Sequence, residues 1–122
     1  MNDFIKFKST NLKSNEVSFS EALLKGLAPD GGLFMPIEIP QISMQELESY
    51  KNLSYAEIAF KIISKFLKNQ IPMDELKNLI DDAYNFPVPL ENVYDRKYVM
   101  RLDQGPTASF KDFAARMMGR LM

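Results

Sequence analysis

Two stretches of helical periodicity separated by a proline constrain the fold of this chain more than any other feature. After Ser54, the apolar residues Tyr55, Ile58, Ala59, Ile62, Ile63 and Phe66 recur on one helical face, and Glu57, Lys61, Ser64, Lys65 and Lys68 take the other. Pro72 stands at the start of a second run, in which Met73, Leu76, Leu79, Ile80, Ala83 and Tyr84 repeat the spacing. A short link joins the two, so they are expected to pack antiparallel, each burying its stripe against the other. Ser54 and Glu57 have the spacing of a capping box, as do Ser18 with Glu21 and Ser43 with Glu46. The first of the three opens a short helix through Lys25. Gly26 and the turn Pro29-Asp30-Gly31-Gly32 follow it. Phe4-Ile5-Lys6-Phe7-Lys8 alternates in part and is expected to be a short strand, and Leu33-Phe34-Met35 a short extended piece.

Phe86-Pro87-Val88-Pro89-Leu90 breaks the helical pattern, because two prolines this close favour an extended connection. This places an organisational boundary between a mainly helical unit over residues 1–86 and a second unit over 87–122. Tyr98-Val99-Met100-Arg101-Leu102 has strand composition, the loop Asp103-Gln104-Gly105-Pro106-Thr107 follows, and Phe110, Phe113, Ala114, Met117, Met118 and Leu121 then fall at helical spacing. The class is α/β, mainly helical at first, with a few short strands. Phe113, Met117 and Leu121 form a stripe that little of the chain is left to cover. No helix stop signal precedes Met122, so the sequence is expected to be a fragment. The alternative is that the stripe packs on the preceding helices.

At 122 residues and 46% hydrophobic, the chain suffices for one modest globular domain. A net charge of −1 without a basic cluster argues against electrostatic nucleic-acid binding. The lysines of residues 61–68 fall on an outer helical face that is expected to be solvated. Cysteine and histidine are both absent, which removes disulfides, Cys/His zinc sites and every triad built on a thiol or an imidazole. Proton transfer must therefore use Lys, Asp, Glu, Tyr or a cofactor. No run approaches transmembrane length and no signal-peptide core is present, so no membrane partner is expected and a cytoplasmic location is the default. The eight methionines are expected to fill core space. Pro29-Asp30-Gly31-Gly32 lacks the spacing of a phosphate loop and is expected to be structural. Asp81 and Asp82 diverge by about 100° on a helix and are not a carboxylate pair.

One lysine has a setting suited to chemistry. Residues 102–112 read as strand, Gly-Pro loop and helix start, with Lys111 in the first helical turn and Ser109 and Asp112 at capping-box spacing. A helix N-terminus carries about half a positive charge, which disfavours a second beside it. A lysine held there and partly desolvated is shifted towards the neutral amine that attacks an aldehyde, with Asp112 as an opposing countercharge. Spacing alone leaves open that Lys111 is a solvated surface lysine.

Gly105-Pro106-Thr107-Ala108-Ser109-Phe110-Lys111-Asp112 resembles the cofactor-lysine motif of threonine synthases, commonly Gly-Pro-Thr-x-Ala-Phe-Lys-Asp. Upstream, Val17-Ser18-Phe19-Ser20-Glu21-Ala22 and the segment from Gly26 through Pro29-Asp30-Gly31-Gly32 to Pro36 resemble that family's N-terminal signature. Phe86-Pro87-Val88-Pro89-Leu90 resembles its linker into the catalytic domain. Many members have a histidine where Gln104 stands, an aromatic residue at Asp103, alanine at Ser109, and Arg-Gly where Asn11-Leu12 follow Ser9-Thr10. Glutamine at 104 keeps a hydrogen-bond donor.

The resemblance implies a fold-type-II pyridoxal 5'-phosphate enzyme that converts O-phospho-L-homoserine and water to L-threonine and phosphate. It further implies that Lys111 forms the Schiff base with pyridoxal phosphate and shuttles protons at the substrate carbons. The family's phosphate-binding loop and most of its substrate site lie downstream of the lysine, so the 122 residues alone are expected to be inactive. Two alternatives belong beside this: a stand-alone helical module that binds a partner through Phe113, Met117 and Leu121, and another fold-type-II enzyme such as an amino-acid dehydratase. Residues 17–36 resemble threonine synthase and argue against the latter.

Overall fold

The computed structural model describes residues 4–122. In chain order the elements are β1 (Phe7–Ser9), α1 (Phe19–Lys25), β2 (Phe34–Pro36), α2 (Met44–Ser49), α3 (Tyr55–Leu67), α4 (Met73–Ala83), β3 (Leu90–Tyr94), β4 (Lys97–Met100) and α5 (Asp112–Leu121). The expected strand over Phe4–Lys8 is shifted to begin at Phe7. The extended piece at Leu33 is β2 and includes Pro36, and the strand at Tyr98 ends at Met100.

The periodic pair α3 and α4 builds the core. Leu76, Ile80 and Ala83 are wholly buried, with Leu67 and Ala59 beside them. Burying a leucine or isoleucine side chain contributes about 1.5–3 kcal/mol, so these few positions anchor the helical layer. At the head of α3, Ser54 Oγ accepts from the Glu57 amide, and the Glu57 carboxylate accepts from the Ser54 amide at 2.7 Å. Ser18 and Glu21 make the same reciprocal pair at α1. Ser43 is only half of such a box. Its Oγ accepts from the Glu46 amide, but the Glu46 carboxylate is drawn away to the Tyr50 hydroxyl (2.6 Å) and Lys65 Nζ (2.9 Å). The Glu46 carboxylate, with burial second, pushes the Tyr50 hydroxyl up to about 12. Lys65, expected on a solvated face, is instead half-buried in this contact between α2 and α3.

A second, smaller layer forms around β1 and β2, which pair antiparallel with Phe7 opposite Pro36 and Ser9 opposite Phe34. The Pro29-Asp30-Gly31-Gly32 turn locks it. Asp30 Oδ1 accepts from the buried Ser9 hydroxyl at 2.6 Å and from the Gly32 amide at 3.1 Å, and Oδ2 accepts from the Lys13 amide at 2.9 Å. Gly31 sits at φ +79°, and a side chain at residue 32 would run into the Ser9 hydroxyl. These bonds tie the turn to β1 and to the segment that follows β1.

The β3–β4 hairpin pairs Leu90 with Met100 and Asn92 with Tyr98, with a bulge between Asn92 and Tyr94, and is exposed throughout. The chain then returns to the helical core through α5, and the expectation that its stripe lies uncovered is wrong. Met117 is buried among Leu67, Leu76, Ile80 and Ala83, with Leu121 packed alongside. The Phe113 ring stands edge-on to Tyr55 (5.5 Å) and Phe86 (5.3 Å). Arg116 adds hydrogen bonds to the Ala83 carbonyl (2.7 Å) and the Asp82 carbonyl (2.9 Å), which the end of α4 leaves without helical partners. The stripe is thereby engaged within the molecule. Phe110 and Met118, expected on the same face, are exposed. The methionine expectation also fails: Met117 is in the core, whereas Met35, Met44, Met73, Met100, Met118 and Met122 are exposed. Asp81 and Asp82 part as expected, to Lys77 and Arg120. Among the described residues no helix is long and apolar enough to cross a membrane.

Candidate active site

The loop between β4 and α5 carries Lys111, and three sets of contacts fix its path. At its entry, the Arg101 amide donates to the Pro89 carbonyl at 2.9 Å, and the Arg101 guanidinium grips Asp103 with two hydrogen bonds of 2.8 and 2.7 Å. The remaining arm of the fork reaches Glu91 on β3 at 2.7 Å. This bidentate arrangement holds the Asp103 carboxyl well below its ordinary range, with Gln104 as a second donor at 3.2 Å. Asp103 and Gln104 are thus tied to the hairpin before the Gly-Pro turn begins.

The middle of the loop closes on itself. The Ala108 amide donates to the Gly105 carbonyl at 3.0 Å, with Ala108 in the left-handed region at φ +54°. A non-glycine residue costs free energy there and persists because its surroundings hold it. The hold is Asp112. Its carboxylate accepts from the Thr107 amide through Oδ2 and from the Thr107 hydroxyl through Oδ1, both at 2.9 Å. Asp112 is only 5% exposed and packs directly on Gly105, where an added Cβ would sit 2.9 Å from Asp112 Cβ and Cγ. Glycine at 105 is required by that approach.

Lys111 differs from its expected setting in three respects. It is the cap residue of α5, one position before the first turn, with φ −64° and ψ −19°. Ser109 and Asp112 do not form a capping box: Ser109 Oγ accepts from the Lys111 amide at 3.3 Å, and the Asp112 side chain turns back to Thr107. The lysine is exposed, so the partial desolvation expected of it is not present among the described residues. No hydrogen bond or ion pair engages its Nζ there, and the neighbouring carboxylate, expected as its countercharge, is occupied by Thr107. The outcome is an accessible primary amine at the end of a tightly clamped turn, at the N-terminus of α5.

Thr107, Arg101 and Glu91 were not singled out by the sequence. The signal for Thr107 was present as a threonine two residues after Gly105 and five before a carboxylate, but that spacing matches no common capping pattern. Arg101 sat inside a stretch that reads as strand, where an arginine normally means only an outward face.

Comparisons with known proteins show which family the chain resembles. The family model described as threonine synthase N terminus matches residues 6–84. The threonine synthase of Schizosaccharomyces pombe is 41% identical over 127 residues, covering 99% of this chain and 25% of that protein. The crystal structure of threonine synthase from Brucella melitensis, with pyridoxal phosphate bound, superposes with a TM-score of 0.92 at 34% identity, covering 97% of this chain and 26% of that one. That of Escherichia coli superposes at 0.88 and 33%, covering 95% and 27%. The chain spans about a quarter of the length of the curated relatives it matches. Family match, relatives and fold converge: the chain belongs to the threonine synthase family and corresponds to its N-terminal region.

Proposed function

We propose that this chain is the N-terminal part of a pyridoxal-phosphate-dependent threonine synthase, which converts O-phospho-L-homoserine and water to L-threonine and phosphate. Residues 1–86 form the family's N-terminal domain in this reading, and residues 87–122 begin its fold-type-II catalytic domain. Lys111 is the amine that bonds the cofactor.

The observation that carries the reading is the state of Lys111: exposed, without an ion pair among the described residues, and fixed by a clamped turn. An amine must be accessible and free of a competing carboxylate to condense with an aldehyde, so the residues present fit the group. Pyridoxal phosphate, when bound, supplies the electron sink for negative charge developed at substrate carbons. Lys111 Nζ would hold the cofactor through its aldehyde, and as a free amine it would accept and return protons at the substrate carbons. The Gly105–Asp112 turn orients that amine, and the Arg101–Asp103 clamp ties the turn to the β3–β4 hairpin. Because the chain spans about a quarter of its relatives' length, the 122 residues alone do not turn over substrate.

The test uses the full-length protein. Lys111→Ala, at an exposed position, leaves the fold intact while abolishing the cofactor's visible absorbance and the release of phosphate from O-phospho-L-homoserine. Threonine formation by that variant at the wild-type rate would contradict the assignment.

A further inference from the structure

We propose that Asp112 is a positioning residue for Lys111, acting through Thr107. The inference rests on Lys111 being the cofactor amine.

A carboxylate adjacent to a nucleophilic lysine has two possible destinations. It can pair with the ammonium, which competes with condensation, or it can bind elsewhere. Here both oxygens are committed elsewhere, Oδ2 to the Thr107 amide and Oδ1 to the Thr107 hydroxyl, each at 2.9 Å. The group is buried, and the close approach of Gly105 leaves its side chain little room to swing away. A carboxylate desolvated to this degree requires such partners, so the contact is strongly determined.

Two consequences follow for Lys111. The Thr107–Asp112 contact closes the turn that contains it, holding Ala108 left-handed and fixing the direction in which the chain enters α5. The same contact withholds the nearest carboxylate from the lysine ammonium. Asp112 thus sets both the place and the availability of the amine.

The chemistry distinguishes the substitutions. Asp112→Asn keeps the shape: its carbonyl accepts from the Thr107 amide, and its amide donates to the Thr107 hydroxyl, which accepts as readily as it donates. Asp112→Ala loses both bonds. Thr107→Val loses one of them at an exposed position and leaves the backbone bond in place.

The experiment reconstitutes the full-length apoprotein with pyridoxal phosphate. It follows visible absorbance against time, then reduces the product with borohydride and measures pyridoxyl occupancy of the Lys111 peptide. Circular dichroism and the melting temperature of each apoprotein report the fold. Asp112→Ala is expected to reconstitute about tenfold or more slowly, since misplacement of a reacting group by about 1 Å can cost about 100-fold. Asp112→Asn is expected within about threefold of wild type, and Thr107→Val about threefold or more below it. Wild-type kinetics in Asp112→Ala, or an Asp112→Asn protein as slow as Asp112→Ala, overturns the proposal. Should Asp112→Ala fail to fold, Thr107→Val decides, and wild-type kinetics there overturns it. Pyridoxyl on a lysine other than Lys111 in the unmutated protein defeats the functional reading instead, and this inference with it.

Discussion

Two glycines show how differently the same residue can be constrained. At Gly105 an added methyl group meets Asp112 Cβ and Cγ at 2.9 Å, whereas at Gly119, inside α5, it meets nothing within 4 Å. Gly105→Ala is therefore expected to destabilise the protein by about 1–3 kcal/mol in urea unfolding, through forced displacement of the buried carboxylate. Gly119→Ala is expected to stabilise it by about 0.5–1 kcal/mol, since alanine is the better helix former. Asp30 offers a test by pH. Its carboxyl lies below its ordinary value of 3.8, chiefly because the Ser9 hydroxyl donates to the charged form, with the Gly32 and Lys13 amides adding to this. The unfolded chain binds that proton more readily than the folded one, so the contribution is complete above the unfolded value and is lost as pH falls through the lower folded value. Asp30→Asn should accordingly flatten the acid limb of a melting temperature-versus-pH curve below about pH 4. An unchanged acid limb would mean that the turn does not depend on the ionised carboxylate. At this scale the sequence was legible where a pattern is local and misleading where it is not. Ser54 and Glu57 lie three apart and bond as their spacing says. Ser109 and Asp112 have the same spacing, but α5 begins three residues after Ser109, so the aspartate faces back towards Thr107.

At the scale of elements, α3 and α4 declare themselves because one face of each turns to the core. The apolar stripes of α3 and α4 repeat at 3.6 residues, with a capping box opening α3 and a proline opening α4. Ser54→Ala removes one side of a reciprocal cap and should cost about 1 kcal/mol in chemical denaturation, with little change in the denaturant slope. The strand β3 carried no such signal. All five of its residues are exposed, so no alternation of apolar and polar side chains was imposed on it, and its leucine was read as the end of a proline linker. The stripe on α5 was legible as a stripe, but its partner was not. Sequence spacing shows which residues share a helix face, while contact with Leu76 and Ile80 depends on how the chain between Phe86 and Asp112 returns.

For the whole molecule, the core and the candidate site belong to regions of different robustness. The buried cluster of α3, α4 and Met117 holds the helices, and Ile80→Ala should cost about 2–5 kcal/mol of unfolding free energy. The β3–β4 hairpin buries neither face, and isolated hairpins are marginal in water. Amide exchange on the 122-residue chain should therefore show α3 and α4 protected and β3 and β4 exchanging well before them. Uniform protection would contradict this division. The fold thus offers a stable helical body from which one clamped loop presents an accessible amine. To check that amine, the cofactor-loaded full-length protein is reduced with borohydride, digested and sequenced by mass spectrometry. The pyridoxyl group is expected on Lys111 alone, and its recovery on any other lysine would show that this loop does not hold the cofactor.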